Sequence, residues 1–68
     1  MTKQELVRDL KSTFSGAGLI SINDISKYTR LERRAVIRMM TGIDYCSLGR
    51  KKLYAVNDVA AVLISLRN

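Results

Sequence analysis

The chain has 68 residues, 47% hydrophobic and 26% charged, with a formal net charge of +6, which indicates one small folded domain and excludes a disordered tail. No apolar run approaches the length of a membrane span, and the N-terminal residues lack the apolar core of a signal peptide, so we expect a cytoplasmic protein. The single cysteine cannot form an internal disulfide, and the absence of histidine argues against a zinc site.

Residues 1–18 are predicted to form a helix followed by a loop. Thr2 and Glu5 have the spacing of a capping box, and apolar residues follow at helical intervals, which predicts a helix over about residues 3–13. Packing of this helix on the domain's own core is favoured over a dimer contact, because a small core needs every apolar face. The stretch 15–18, which contains two glycines and a serine, ends the helix.

Residues 19–41 are predicted to form two short helices joined by a turn. Residues 19–20 form either a short strand or a hydrophobic staple before Ser21, which makes a second capping box with Asp24. A helix is predicted over about 22–28, and a second over 31–41, which ends near Gly42. The second helix has an apolar stripe that begins at Leu31 and should be buried. Its outward face is expected to carry Arg33, Arg34, Ile37 and Arg38.

Residues 42–56 are predicted to form a β-hairpin, and residues 57–68 a C-terminal helix. Two β-prone runs, 45–48 and 52–56, are separated by a basic tip at 49–51, where Gly49 allows the positive φ of a tight turn. Cys46 is expected to be a small buried hydrophobe. Asn57 is expected to cap the last helix, whose apolar stripe should include Leu66.

The excess of positive over negative charge is confined to the middle of the chain. Eight basic and two acidic residues lie between Lys27 and Lys52, whereas the remaining charges balance. A concentrated basic patch is typical of a protein with a polyanionic partner, and a helix with one buried face fits the major groove of a duplex. Taken alone, the arginine helix is better explained as a solvated surface, because charge on a helix face is common. The basic tip could also serve solubility, but it lies in the same half of the sequence as this helix, which favours phosphate contact. The candidate DNA-binding residues are Lys27, Arg30, Arg33, Arg34, Arg38, Arg50, Lys51 and Lys52.

The segment 20–40, ISINDISKYTRLERRAVIRMM, resembles the excisionase-like helix-turn-helix domains of phages and transposons, which are relatives of the mercury-resistance regulator (MerR) family. The resemblance extends over about 19–66 and includes a glycine, basic residues and an aromatic at 49–54. It implies a mainly α, single-domain winged helix-turn-helix over 1–68, with an extra N-terminal helix and loop (1–18), the helix-turn-helix (19–41), a small β-hairpin wing (42–56) and a C-terminal helix (57–68). It also implies that the arginines at 33, 34 and 38 enter or border the major groove, and that residues 50–52 reach an adjacent minor groove or the backbone.

Three positions depart from the family pattern. Arg30 stands where the family usually has glycine in the turn, which predicts a looser turn. Glu32 stands where the recognition helix is often capped by Ser or Asp, and Met39 where an aromatic is usual.

The resemblance favours a small excisionase, a factor that bends DNA and sets the direction of a site-specific recombinase. A small transcriptional regulator or repressor of a phage or mobile element is the alternative, and an inhibitor of an acidic protein surface is a third function. Duplex DNA is the expected partner, with an integrase and further copies of the chain as additional candidates and no membrane partner. We expect no cofactor and no enzymatic activity. Tyr45 and Tyr54 lack the activating groups that a recombinase nucleophile needs for phosphoryl transfer, and packing of the hairpin explains them better.

Overall fold

The computed structural model describes residues 2–66, which form four helices and three strands. In chain order these are α1 (Lys3–Thr13), β1 (Leu19–Ser21), α2 (Ile22–Thr29), α3 (Arg33–Met39), β2 (Cys46–Leu48), β3 (Lys51–Ala55) and α4 (Val56–Ser65). The strands form one antiparallel sheet in the order β1-β3-β2. No helix within these residues combines the length and the hydrophobicity that a bilayer crossing requires.

Local side-chain bonds fix the starts of α1 and α2. The Glu5 N–H donates to the Thr2 hydroxyl oxygen at 3.1 Å, and the Thr2 N–H donates to the Glu5 carboxylate at 3.1 Å. Ser21 and Asp24 exchange the equivalent two bonds, each of 3.2 Å, at the start of α2. The Thr2 N–H also lowers the pKa of the Glu5 carboxyl. Both predicted capping boxes are therefore confirmed, because they satisfy N–H groups that lack partners in the first helical turn.

Helix α1 contributes to the core of the domain, as its apolar stripe predicted. Leu6 and Leu10 are buried, and α1 packs along α4. Every helix and strand of the described residues except β2, whose three residues are exposed, adds at least one buried side chain. The other buried core residues are Ile20, Ile22, Ile25, Val36, Met40, Tyr54, Val56, Val59 and Ala60.

Strand β3 lies between the other two strands and holds the hairpin against the helices. Ile20 of β1 faces Tyr54 of β3, and Ser47 of β2 faces Lys52 of β3. Side chains alternate along a strand, so Lys52 lies on the same face as the buried Tyr54, whereas Lys51 lies on the opposite face. Residues 19–21 are therefore a strand, one of the two alternatives left open by the sequence.

Two predicted helix boundaries are wrong. Helix α3 is shorter than the predicted 31–41, and Leu31 precedes it with 42% of its surface exposed. Helix α4 begins at Val56 with Ala55 at the N-cap, so Asn57 lies inside the helix rather than at its cap. The reason is that β3 runs directly into α4, with the Val56 N–H bonded to the Gly18 carbonyl oxygen at 2.9 Å. The predicted end of this helix at 67–68 lies outside the described residues.

Two residues predicted to be buried are exposed. Cys46 is exposed because it faces Leu53 in the β2–β3 pairing, on the sheet face opposite Tyr54. Leu66 is 63% exposed and follows the last residue of α4. The predicted packing of the hairpin tyrosines is confirmed, since the Tyr45 and Tyr54 ring centroids are 5.8 Å apart and Tyr54 is buried.

An aromatic contact and a hydrogen bond join α1 to α2. The Tyr28 hydroxyl donates to the Asp9 carboxylate, and the Tyr28 and Phe14 ring centroids lie 6.3 Å apart. Partial burial, followed by the hydrogen bond to Asp9 and its negative charge, raises the pKa of Tyr28 to about 12. The neutral phenol is thus the form that the fold stabilises.

We expect Leu10→Ala to lower the free energy of unfolding by about 2–5 kcal/mol, because it leaves a cavity beneath a fully buried side chain. Leu66→Ala is the matched control and should change stability by less than about 0.5 kcal/mol, since Leu66 is mostly exposed. Urea unfolding followed by circular dichroism measures both. Equal losses in the two variants would contradict a core role for α1.

We expect Tyr28→Phe to reduce stability near neutral pH, because it removes the bond to Asp9. A raised pKa in the folded state contributes stability that is complete below the unfolded value of 10 and is lost as the pH rises to about 12. Phenylalanine does not ionise, so the gap in unfolding free energy between the two proteins should narrow over this range. Urea unfolding at several pH values measures the gap. A constant or widening gap would contradict the assignment.

Candidate nucleic-acid interface

Helix α3 buries one face and exposes the other. Val36 is fully buried and Met40, just after the helix, is almost so. Successive residues of an α-helix are rotated by about 100°, so Arg34 and Arg38 point almost directly away from Val36. Ile37 lies between the buried and outward faces, next to Arg33, which is one turn earlier. The outward placement predicted for these residues is therefore observed.

A groove lies between α3 and the β2–β3 hairpin. Its lining brings together Arg33 and Ile37 of α3 with basic residues of the hairpin, and contains no acidic residue from the described part of the chain. The start of α2 closes one side. The remaining lining residues are Ser21, Ile22, Asn23, Arg50, Lys51, Lys52 and Tyr54. The fold thus joins two basic clusters that are separate in the sequence.

The hairpin turn is tighter than predicted. Leu48 faces Lys51, so only Gly49 and Arg50 form the loop. Gly49 has a φ of 62°, whereas Arg50 is not among the residues with positive φ, which is the pattern that a type II′ turn requires. Lys51 was predicted at the tip but belongs to β3, because the pairing with β2 extends to it, whereas Lys52 lies in the strand as the predicted run 52–56 has it.

Lys52 is further restrained by an aromatic ring. Its Nζ lies 4.9 Å from the centroid of the Tyr45 ring, a cation–π contact, and Tyr45 packs on the buried Tyr54. Lys52 is therefore positioned by the sheet. Arg50, at the two-residue turn, has no such contact and depends on the loop alone for its placement.

The turn between α2 and α3 closes tightly without glycine. Arg30 has a φ of 62°, in the left-handed region, and its N–H donates to the Ser26 carbonyl oxygen at 2.8 Å. The Ser26 hydroxyl donates to the Leu31 carbonyl oxygen at 2.6 Å, and the Leu31 N–H donates to the Thr29 hydroxyl at 3.3 Å. The looser turn expected from the missing glycine is not observed. The next residue, Glu32, is the N-cap of α3 and makes no side-chain capping bond.

All eight candidate residues are exposed, but they divide into separate groups. Four of them line the groove: Arg33, Arg50, Lys51 and Lys52. The other four are not part of its lining. Of these, Arg34 and Arg38 lie on the outward face of α3, and Lys27 and Arg30 lie at the C-terminal end of α2.

Ile37 and Asn23 line the groove, although neither was predicted as a site residue. Ile37 was placed on the outward face of α3 but given no role, although it is 49% exposed beside the groove. Asn23 was not considered as a site residue, yet it lines the groove from the start of α2. An apolar residue among arginines was a usable signal for Ile37. No sequence pattern indicates Asn23, because its nearness to the hairpin depends on the β1–β3 pairing.

The left-handed conformation of Arg30 gives a stability prediction. A residue with a Cβ in this conformation costs roughly 1 kcal/mol that glycine does not pay. We expect Arg30→Gly to be more stable than Arg30→Ala by about 1 kcal/mol in urea unfolding. The two variants lose the same charge, so each controls for the other. Equal stability, or a more stable alanine variant, would contradict the strain at this turn.

Comparison with family models, with curated proteins and with solved structures finds no match to this chain. The observations that bear on its function are therefore its own charge distribution and geometry. These describe an exposed basic helix beside a basic hairpin, with a groove between them that no carboxylate of residues 2–66 lines.

Proposed function

We propose that this chain is a winged helix-turn-helix protein that binds double-stranded DNA with sequence preference. In this proposal α2 and α3 are the helix-turn-helix, α3 is the recognition helix, and the β2–β3 hairpin is the wing. The observation that carries the proposal is the groove in which Arg33 of α3 meets the three cations of the hairpin. A cleft lined by one sign of charge concentrates a partner of the opposite charge, and duplex DNA is such a partner.

The outward face of α3 supplies the groups that direct readout requires. The major groove of B-DNA is about 12 Å wide and admits a helix, and an arginine can donate two hydrogen bonds to one guanine. Arg34 and Arg38 project from a helix anchored by the buried Val36, so their guanidinium groups start from a rigid backbone. We assign them to base edges. Arg33, on the flank nearer the hairpin, is assigned to the border of the DNA major groove.

The hairpin supplies charge beside the recognition helix. Lys51 and Lys52 extend from β3 on opposite faces, and Arg50 occupies the turn. Phosphate contacts of this kind fix the orientation of a protein on the duplex without reading sequence. The longest dimension of the domain is 33 Å, which is about one turn of B-DNA. One copy therefore covers a short site.

The finer function that we propose is a small excisionase, which bends DNA and directs a site-specific recombinase. The support is the resemblance of residues 19–66 to excisionase-like domains. A transcriptional regulator would use the same surface and remains the second candidate. Measuring the bend of the bound duplex by the energy transfer between its labelled ends separates them. Bending, together with stimulation of excision by an integrase encoded nearby, supports the excisionase, whereas promoter occupancy without either supports the regulator.

We expect helix and hairpin substitutions to have different effects on DNA binding. Arg38→Ala should reduce the free energy of binding to the preferred site by about 1–3 kcal/mol and should relax the preference at one base position. Lys51→Ala should weaken binding to the preferred and the scrambled duplex alike. It should also reduce the slope of the logarithm of the binding constant against the logarithm of the salt concentration by about 0.9. Fluorescence anisotropy on both duplexes at several salt concentrations measures these effects, after selection of the preferred site from a random library.

Lys11→Ala is the matched control for this experiment. Lys11 is an exposed cation of α1, far along the chain from both basic clusters, so its loss changes the net charge equally. It should leave the base preference unchanged and reduce the salt slope less than Lys51→Ala does. Binding that is insensitive to salt, or no binding to any duplex at low salt, would refute DNA binding. Loss of base preference in the Lys51 variant alone would reverse the two assigned roles, and competition by an acidic protein but not by DNA would favour an inhibitor.

A further inference from the structure

Ile37 is an apolar side chain that the fold does not need to bury. It is 49% exposed, whereas Val36, its neighbour in α3, is fully buried. A β-branched residue is also a poorer helix former than the straight-chain residues usual at an exposed position. Ile37 therefore presents an apolar surface on the exposed side of α3, where it is free to contact a bound partner.

Cations surround Ile37 along the chain and in space. Arg33 lies one turn before it on the same flank and lines the same groove, together with Lys51 and Lys52 of β3. Arg34 and Arg38 lie on the adjoining outward face. A partner for this surface must combine negative charge with an exposed apolar group. The major groove of duplex DNA does so, since it is walled by phosphates and its base edges carry one apolar group, the C5-methyl of thymine.

We propose that Ile37 packs against the C5-methyl group of a thymine in the major groove. This inference rests on the proposed DNA binding and adds a specificity-determining residue to it. A helix rises about 1.5 Å per residue, so Ile37 is offset from Arg38 by about 1.5 Å and from Arg34 by about 4.5 Å along the axis of α3. Base pairs are stacked about 3.4 Å apart. The thymine read by Ile37 therefore lies within about two base pairs of a guanine read by one of these arginines.

The contact should have a small but measurable effect on affinity. Uracil pairs as thymine does and lacks only the methyl group. Removing the critical methyl should weaken binding about fourfold, the equivalent of about 0.8 kcal/mol for one buried methyl group. Thymines outside the reach of Ile37 should tolerate the replacement without a change in dissociation constant.

The experiment is a thymine-to-uracil scan of the preferred duplex. Each thymine of both strands is replaced singly, and the dissociation constants of the full chain and of Ile37→Ala are measured by anisotropy. We expect the unsubstituted protein to bind about fourfold more weakly when thymine is replaced by uracil at one or two positions close to a guanine. Ile37→Ala should bind both duplexes equally at those positions, because the side chain that senses the methyl group is gone.

Two further variants control for side effects. Ile37→Val keeps a branched apolar side chain and should retain most of the difference between thymine and uracil. Ile37→Gln is similar in length, favours the helix and should lose that difference, so the test does not depend on the alanine variant alone. Circular dichroism establishes that each variant is folded.

The outcomes separate this inference from the function on which it rests. No binding of the full chain to any duplex overturns both. Binding without a uracil effect at any position overturns the role of Ile37 alone. So does a uracil effect that persists unchanged in the alanine and glutamine variants, because another residue would then sense the methyl group.

Discussion

The pairing of β1 with β3 is the constraint on which the arrangement of the basic surface depends. Ile20 and Tyr54 face each other across this pairing and both are buried. Ser21 is at once the last residue of β1 and the cap of α2, so the pairing also fixes the start of that helix against the hairpin. Tyr54 is buried in the core and also lines the groove, and its ring packs against that of Tyr45. Without this pairing, the cations of the hairpin would have no fixed position relative to α3.

Signals that act within one helical turn made much of the fold predictable. The capping boxes at Thr2 and Ser21 involve partners three residues away, and both helices begin where these patterns indicate. The boundaries that could not be predicted depend on distant partners. Asn57 is a good capping residue by itself, but the pairing of β3 with β1 extends to Ala55 and starts α4 before it. Likewise Cys46 is apolar enough for a core, yet the register of the hairpin turns it outward.

The candidate site divides in the same way. Exposure of the eight cations follows from their charge, and their outward positions on α3 follow from the helical period. Their grouping could not be predicted from the sequence. Arg33 and Lys51 line the same groove only because the strands have the order β1-β3-β2. The tip was predicted to span 49–51, with two cations, because a glycine marks a turn but does not tell how many residues the turn contains. Pairing of Leu48 with Lys51 leaves Arg50 as its single cation.

Strand β2 and helix α3 are expected to differ in local stability, because β2 is exposed and α3 is anchored in the core. All three residues of this strand are exposed, so its place in the sheet depends on pairing with β3 more than on burial. Helix α3, in contrast, is held by the fully buried Val36. Segments with few buried contacts open more readily than the core to which they are attached. On the proposed duplex, the outer strand would therefore adapt to the local shape of the DNA backbone while α3 keeps its angle.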